Sequence, residues 1–165
     1  MSRKKEKHSS KTNAVRIVES EGIPYKLHSY EAPEGFLDGV SVARSLGQEI
    51  NRVFKTLVTI GSSGENHVCV IPVERELDLK KAAAYFGEKK LEMIPAKKIT
   101  DVTGYIKGGC SPVGMKKPFS TAVDSSASDI EWIIVSGGRV GLQMEIPVDG
   151  LLRLTEAELA DITKV

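Results

Sequence analysis

Two apolar segments joined by a polar turn constrain the fold more than any other feature of the sequence. The first reads VFKTLVTI over residues 53–60, the second reads HVCVIPV over residues 67–73, and GSSGEN lies between them. Apolar runs separated by glycine, serine and asparagine are typical of two strands joined as a hairpin. Apolar side chains fall on both faces of the first run, which predicts an inner strand. Lys55 interrupts that strand, so its amine must pair, reach solvent or line a cavity.

Short helices and further strands surround this hairpin. Glycines mark helix ends, the spacing of Thr155 and Glu158 matches a capping box, and Ser136-Gly137-Gly138 separates two apolar runs as a second hairpin turn would. The predicted helices cover residues 14–18, 40–47, 77–86, 95–104 and 155–162. The predicted strands cover residues 23–30, 53–60, 67–73, 90–94 and 120–124, and two more lie within 131–146 on either side of the Ser136-Gly137-Gly138 turn. This mixture favours a single α+β or mixed α/β domain with a largely antiparallel or mixed sheet, and disfavours a doubly wound parallel sheet.

Charge is unevenly distributed along the 165 residues, although the formal net charge is only +1. Residues 1–11 are polar and mostly basic, which predicts a disordered basic tail before a domain over residues 12–165. Residues 79–117 hold nine basic and three acidic side chains. That excess predicts either a local field that attracts a polyanion or a solvated basic face. No apolar run reaches the roughly 18 residues of a membrane span, so no membrane association is expected.

The segment GGCSPVGMKKP, residues 108–118, resembles a phosphate-binding loop only superficially. Gly109 and Gly114 have the spacing of the P-loop glycines, but Met115 follows where a lysine is required. No serine or threonine follows Lys117 to hold magnesium, and Pro112 removes a backbone donor. The sequence therefore excludes a P-loop NTPase. The SGGRVG segment is not a dinucleotide fingerprint either, because it does not open a predicted helix.

Histidine and cysteine patterns indicate neither a metal centre nor a thiol enzyme. The histidines are His8, His28 and His67, and none lies at ligand spacing from a cysteine. We therefore expect no metal and no cofactor, with structural roles for His28 and His67. Cys110 is either a nucleophile with a lowered pKa or a small packed side chain, and the lack of a partner base favours the second. Cys69 is expected in the core, and both thiols suit a reducing cytoplasm.

Five segments together resemble the signature blocks of the YbaK/EbsC family. They occur in the family's order and spacing and cover about residues 12–163. The blocks are HSY at 28–30, VFKTL at 53–57, LDLKKAA at 77–83, GYIKGGCSPVGMKK at 104–117 and VSGGRVGLQMEI at 135–146. The family consists of small proteins that edit misacylated tRNA and are related to the insertion domain of prolyl-tRNA synthetase. The resemblance implies a strongly curved mixed sheet or barrel with surrounding helices.

The resemblance also implies a site. Lys55 corresponds to the principal functional lysine of the family, and the other residues of the site would bind substrate. Those residues are Tyr30, Phe36, Thr56, Gly108, Gly109, Ser111, Pro112, Ser136, Gly137 and Gln143. Gln143 stands where the cysteine-editing branch often has an acid, and Cys110 stands where the family is often aliphatic. Candidate tRNA contacts are Lys80, Lys81, Lys116 and Lys117.

The implied activity is a trans-editing deacylase that cleaves the aminoacyl ester of misacylated tRNA, with Cys-tRNA(Pro) as the leading substrate. Backbone N–H groups around Gly108 to Ser111 would stabilise the developing oxyanion, and Lys55 would hold the terminal nucleotide or add to that field. The absence of a Ser-His-Asp set favours a substrate-assisted route. The alternatives are a deacylase for alanine- or serine-charged tRNA and a non-catalytic tRNA or synthetase adaptor. We expect misacylated tRNA as a partner, prolyl-tRNA synthetase as a possible second partner, and a cytoplasmic location.

Overall fold

A computed structural model of the protein describes residues 11–31 and 38–165, which form five α-helices and eight strands. The helices are α1 (Asn13–Ser20), α2 (Gly39–Ser45), α3 (Leu79–Phe86), α4 (Ile99–Thr103) and α5 (Val148–Thr155). The strands are β1 (Lys26–Ser29), β2 (Phe54–Gly61), β3 (Asn66–Pro72), β4 (Leu91–Met93), β5 (Ser120–Asp124), β6 (Trp132–Arg139), β7 (Leu142–Pro147) and β8 (Glu158–Ala160). Short 3₁₀ turns cover Ile50–Arg52, Ala96–Lys98 and Ser125–Asp129.

The strands form two sheets. One has five strands in the order β4-β2-β3-β5-β8, with parallel β3–β5 and β5–β8 pairs. The other is antiparallel, with the order β1-β7-β6. An isolated bridge from Val53 to Ile134 joins them. The predicted mixed, largely antiparallel class is confirmed, and the described strands do not close into a barrel.

The hairpin predicted at the centre of the fold is β2 and β3. Their antiparallel register runs from Phe54 opposite Pro72 to Ile60 opposite Asn66. β2 also pairs with β4, so it is an inner strand as its two apolar faces predict. Cys69 on β3 is fully buried, as expected.

Apolar side chains fix the helices onto the sheets. Val15 and Val18 of α1 and Leu151 of α5 are fully buried beside Met144 and Ile146 of β7. Burying one such side chain stabilises the fold by about 1.5–3 kcal/mol relative to leaving it exposed. A smaller cluster at the junction of the two sheets contains Ala43, Val53, Val73 and Ile134, and it secures α2 beside the start of β2. This junction positions the cavity described below.

The second hairpin turns at a different place from the one predicted. β6 continues to Arg139, and β7 begins at Leu142, so Val140 and Gly141 form the turn. The prediction of a turn at Ser136-Gly137-Gly138 was wrong. The register shifts between Ser136 and Arg139, so these glycines lie at an irregularity within the strand. A Cβ on Gly137 would lie 2.7 Å from Leu142 Cγ, which explains the need for glycine there.

The predicted C-terminal helix over residues 155–162 was also wrong. Thr155 is the last residue of α5, and its hydroxyl donates to the Leu151 carbonyl at 2.8 Å. Glu156 has a left-handed φ of 55° and ends the helix, after which β8 pairs in parallel with β5. The capping-box pattern failed because Val148 and Leu151 bury their side chains one turn earlier. The open edge of β5 then accepts the residues that follow.

The N-terminal tail and membrane-spanning helices were also considered in the sequence. The predicted tail, residues 1–11, lies outside the described residues except for Lys11, whose Nζ lies 2.9 Å from Glu19 Oε1. Among the described helices, none has both the length and the apolar character needed to cross a membrane.

A buried carboxylate ties α3 to the central hairpin. Glu88 Oε2 accepts from His67 Nε2 at 2.7 Å, and Oε1 accepts from the Ser63 backbone N–H at 3.1 Å. Hydrogen bonds from Ser63 and then from His67 lower the pKa of Glu88 to about 2 from an ordinary value of 4.5. Because the pKa is depressed on folding, this stabilisation is complete above pH 4.5 and is lost as the pH falls towards 2.

We therefore expect Glu88→Gln to be less stable than the wild type at pH 7 and to lose less stability between pH 6 and pH 3. Urea unfolding at several pH values measures both effects. Glu92→Gln is the matched control, because Glu92 is exposed and its one ion pair within residues 11–31 and 38–165 is with Lys90, at 3.1 Å. Equal acid sensitivity of the wild type and Glu88→Gln would contradict this account of the Glu88 pKa.

Candidate active site

A cavity of about 590 Å³ opens where the two sheets meet. The start of β2 forms one wall, α2 and the segment from β4 to α4 flank it, and the loop after α4 and the β6–β7 sheet complete it. The sequence-predicted residues that line this cavity are Tyr30, Lys55, Thr56, Gly108, Ser136 and Gln143. Folding thus brings residues far apart in the sequence to one place. Their roles remain predictions.

Lys55 lies on the apolar wall that β2 contributes. Val53, Phe54 and Leu57 line the same cavity, and the Lys55 side chain is only partly exposed. Burial lowers the pKa of Lys55 by desolvating its ammonium, and Glu76 opposes this by attraction. A cation held among apolar side chains interacts strongly with any anionic or polarised group that enters the cavity.

The glycine-rich loop divides into a residue that meets the cavity and residues that support it. Gly108 has a φ of 85° and lines the cavity, whereas Gly109 does not. The Gly109 N–H donates to the Ile106 carbonyl at 2.9 Å, and a Cβ there would lie 2.7 Å from Arg139 Cα. Gly109 therefore packs the loop against the end of β6. The predicted substrate contact of Gly109 stays a prediction, and its N–H group already has an acceptor within the loop.

Ser111 and Pro112 also lie outside the cavity lining. Ser111 is fully buried, and its Oγ accepts from the Val113 N–H at 3.2 Å. Pro112 lines a separate cavity of about 270 Å³. The Tyr105 hydroxyl donates to the Val113 carbonyl at 2.5 Å and closes the loop from within. Gly108 and Cys110 line the larger cavity, and no described backbone carbonyl accepts from their N–H groups, so these two N–H groups are the candidate donors to a bound group.

The VSGG block contributes one residue to the cavity and one to its support. Ser136 lines the cavity, and its Oγ accepts from the Gly138 N–H at 3.2 Å. Gly137 is buried outside the lining, and its carbonyl accepts a hydrogen bond from the Thr12 hydroxyl. Thr56 lines the cavity, and its buried Oγ1 has no hydrogen-bond partner among the residues that the structure describes. Phe36 lies outside the described residues.

The four lysines predicted to contact tRNA do not line this cavity. Lys80 is exposed on α3, and Lys81 Nζ donates to the Thr163 carbonyl at 2.9 Å. Lys116 Nζ donates to the Asp101 carbonyl at 3.1 Å, whereas Lys117 lines the smaller cavity. Lys81 and Lys116 are therefore engaged within the fold, and their assignment to tRNA stays a prediction.

Several residues that line the cavity were not predicted from the sequence. Lys107 is exposed at the rim, and Met93, Ile94 and Ile99 supply apolar surface. Lys107 lies in the GYIKGG block, and its position next to Gly108 is the sequence feature that could have predicted it as a cavity residue. Asp38 also lines the cavity, but its carboxylate caps α2 by accepting from the Ser41 N–H at 2.8 Å and the Ser41 hydroxyl at 3.1 Å.

Cys110 lines the cavity as a protonated thiol. Burial raises the pKa of Cys110 to about 11, so almost no thiolate exists at neutral pH. We expect Cys110→Ala to keep kcat within about threefold of the wild type, because a thiol that stays protonated cannot act as a nucleophile. A deacylation time course measures this, and iodoacetamide labelling below pH 9 should be slow. A loss of activity greater than a hundredfold with an unchanged melting temperature would contradict this reading.

One group in the described part of the chain has metal-ligand geometry. Glu65, His67 and Glu88 place one ligand atom each within 4.8 Å of one another. None of them lines the cavity, and both His67 ring nitrogens already have partners, Ser120 Oγ and Glu88 Oε2, each at 2.7 Å. His67 therefore has the structural hydrogen bonds expected from the sequence.

A family model described as "Aminoacyl-tRNA editing domain" matches residues 38–154, which include the cavity from α2 to β7. The chain belongs to this editing-domain family. A relative from Enterococcus faecalis, named "Putative Cys-tRNA(Pro)/Cys-tRNA(Cys) deacylase EbsC", is 48% identical over 159 residues, covering 96% of this chain and 97% of the relative. The resemblance drawn from five sequence blocks is confirmed.

Two further matches extend the relationship of this editing domain. A proline–tRNA ligase from Thermosipho melanesiensis is 38% identical over 74 residues, which are 45% of this chain and 13% of the ligase. A solved structure described as a "putative trans-editing enzyme for prolyl tRNA synthetase" has 25% sequence identity and a TM-score of 0.80. The similarity covers 93% of this chain and 98% of that one. The fold is therefore shared over nearly the whole length.

Proposed function

We propose that the protein cleaves the aminoacyl ester of misacylated tRNA, with cysteinyl-tRNA(Pro) as its preferred substrate. The observation that carries the proposal is that the half-buried Lys55 lines the same cavity as Gly108 of the loop and Ser136 of β6, although the three residues are far apart in the sequence. The near full-length similarity to the Enterococcus faecalis relative supports cysteine as the amino acid.

The cavity stabilises negative charge without supplying a nucleophile. Lys55 places a cation beside the ester, and the N–H groups of Gly108 and Cys110 donate to the carbonyl oxygen as charge develops on it. No histidine is among the described residues that line the cavity. The cysteinyl thiol therefore attacks its own ester carbonyl, the ester C–O bond breaks, and the amino acid leaves as a cyclic thioester. The tRNA hydroxyl takes the proton, and the protein mainly holds the reacting atoms in place.

Lys107 extends the positive field to the rim of the cavity. It is exposed and has no ion pair or hydrogen bond within the described residues. A lysine in this place suits a phosphate of the tRNA 3′ end, while Lys55 acts deeper in the cavity. The proposal extends to the basic segment 79–117, whose Lys80, Lys81, Lys116 and Lys117 would contact phosphates of the acceptor stem.

Lys107→Ala should raise the KM for charged tRNA by about three- to tenfold and lower the slope of log KM against log salt by about one. Steady-state kinetics at several salt concentrations measure both quantities. An aminoacyl-adenosine ester without phosphate should be cleaved equally by the wild type and Lys107→Ala. Lys26→Ala is the control, because Lys26 is exposed on β1 outside the cavity lining. An unchanged salt slope for Lys107→Ala would reject the phosphate contact.

The similarity to proline–tRNA ligase supports prolyl-tRNA synthetase as a partner that delivers the tRNA. An enzyme that edits tRNA for translation would act in the cytoplasm. A panel of proline tRNA charged with cysteine, alanine, serine or proline tests the proposed function. Fast release of cysteine alone would support it. Release of alanine or serine would reassign the substrate, and tRNA binding without cleavage of any ester would favour the adaptor.

A further inference from the structure

A serine, a histidine and a glutamate form a hydrogen-bonded chain outside the cavity. Ser120 Oγ lies 2.7 Å from His67 Nδ1, and His67 Nε2 lies 2.7 Å from Glu88 Oε2. Ser120 opens β5, His67 lies on β3, and Glu88 follows α3. None of the three lines the cavity, and no sequence motif connects them. The fold therefore brings a hydroxyl, a base and a carboxylate together at a second place.

The two contacts fix the direction in which the His67 ring faces. Turning the ring over would put the carbon atoms Cδ2 and Cε1 in place of the two nitrogens, and both hydrogen bonds would be lost. The Phe86 ring stacks on His67 with 4.3 Å between the centroids. His67 also lies directly opposite Ser120 in the parallel pairing of β3 and β5. The ring is therefore held in one orientation by both nitrogens and by stacking.

The carboxylate of Glu88 fixes the tautomer of this ring. Its Oε2 accepts from the Ser63 hydroxyl at 2.5 Å, and its Oε1 accepts from the Ser63 N–H at 3.1 Å. Hydrogen bonds from Ser63 and then from His67 lower the pKa of Glu88 to about 2, so at neutral pH this carboxylate is ionised and only accepts. Nε2 of His67 therefore carries a proton. In the neutral ring Nδ1 is then the acceptor, and the Ser120 hydroxyl donates to it.

Burial differs along the chain in the way that a reactive serine requires. Ser120 is exposed, whereas His67 is 5% exposed and the Glu88 side chain is 6% exposed. A small reagent can therefore reach the hydroxyl, while the base and the carboxylate stay shielded. Shielding strengthens the attraction between Glu88 and the imidazolium that forms when His67 takes a proton. Glu65, which is exposed, places a carboxylate oxygen within 4.8 Å of the nearest polar atoms of both residues and adds to this attraction.

We propose that Ser120, His67 and Glu88 form a second reactive site, in which the Ser120 hydroxyl is an activated nucleophile that accepts an acyl group from small reactive esters. Ser120 Oγ attacks the ester carbonyl carbon while its proton passes to His67 Nδ1. The ester C–O bond then breaks, and the alcohol leaves with that proton, so the acyl group stays on Ser120. Glu88 is a positioning residue, because it acts through His67. This site is independent of the ester cleavage proposed for the cavity.

Acetylation by p-nitrophenyl acetate, quenched in acid and assigned to individual serines by peptide mass spectrometry, tests this site in the wild type. General-base help contributes about 10²–10⁴ in rate. Ser120 should therefore be acetylated at least about a hundredfold faster than Ser20, an exposed serine whose hydroxyl donates to the Ile17 carbonyl at 2.9 Å. The Ser120 rate should also rise with pH to a plateau, because His67 must be neutral to take the proton.

Three variants separate proton transfer from stability. His67→Gln should lower the Ser120 acetylation rate at least about a hundredfold, because an amide does not take the proton. Glu88→Gln should lower it about tenfold, because a neutral amide stabilises the imidazolium less than a carboxylate does. Ser63→Ala is the matched control, since it removes the 2.5 Å hydrogen bond to Glu88 but leaves the contact between His67 and Ser120. Its rate should stay within about threefold of the wild type, and urea unfolding shows which variants are folded in the assay.

Each contrary result overturns the site in a different way. Equal acetylation of Ser120 and Ser20 in the wild type would overturn it without any variant. A folded His67→Gln protein with an unchanged rate would remove His67 as the base. A fall in Ser63→Ala as large as that in Glu88→Gln would assign the effect to local stability. Cleavage of charged tRNA reports only on the cavity, so the two proposals can fail separately.

Discussion

Replacing Lys55 with alanine is expected to reduce ester cleavage by about a hundredfold or more, the effect of removing one preorganised oxyanion-stabilising group. The melting temperature should stay the same or rise. Burial lowers the pKa of Lys55, which means that desolvating its ammonium makes the folded state less stable. Single-turnover deacylation of charged tRNA and thermal unfolding of the same preparation measure the two quantities.

Lys26→Ala is the control for this experiment, because it removes an equal charge from an exposed site outside the cavity lining. Its cleavage rate should stay close to that of the wild type. A Lys55→Ala variant that keeps more than half of the wild-type rate would remove Lys55 from the mechanism. A large fall in melting temperature would assign Lys55 to stability instead.

Replacing Gly109 with alanine is expected to lower the free energy of unfolding by about 1–3 kcal/mol, as overpacking does. The new Cβ would lie 2.7 Å from Arg139 Cα and 2.8 Å from Val140 N, and backbone atoms cannot move aside like the end of a side chain. The loop must then shift, and Gly108 moves with it. Cleavage by the folded variant should fall on the order of tenfold, since small displacements of positioning groups are costly.

Gly150→Ala is the matched control for Gly109→Ala. Neither glycine has a left-handed φ. Gly150 lies within α5, and a Cβ there would meet a side-chain atom of Ile23 at 3.0 Å rather than backbone atoms. Alanine also favours helix formation there, so stability should change by less than about 1 kcal/mol. Urea unfolding gives the comparison. Equal stability of the two variants would contradict the packing role of Gly109.

Features set by local chemistry could be predicted from the sequence. The inner strand carrying Lys55 follows from its two apolar faces, and the stop of α3 follows from Gly87, which has a left-handed φ of 72°. The resemblance then placed Lys55, Gly108 and Ser136 in one site, and the cavity brings these three together.

Features set by tertiary packing could not be predicted in the same way. Gly109 and Gly137 stay predicted substrate contacts, but the sequence did not show that a Cβ at either position would meet a neighbouring part of the β6–β7 hairpin. The C-terminal segment has a capping pattern, but pairing with β5 makes Glu158–Ala160 a strand. Gln48 belongs to no recognised sequence motif. Its connection to the cavity is the 2.7 Å contact between its Nε2 and Gln143 Oε1, which only the structure shows.

The relative rate on cysteinyl-tRNA(Pro) and correctly charged prolyl-tRNA(Pro) tests the central claim most directly. The two substrates share the same tRNA and the same type of ester linkage, so their difference reports the amino acid: its fit in the cavity and the thiol that attacks the ester. We predict that the purified wild type releases cysteine rapidly and leaves prolyl-tRNA(Pro) intact, and that Lys55→Ala releases neither amino acid. Equal hydrolysis of both substrates, or no release of cysteine by the wild type, would contradict the account.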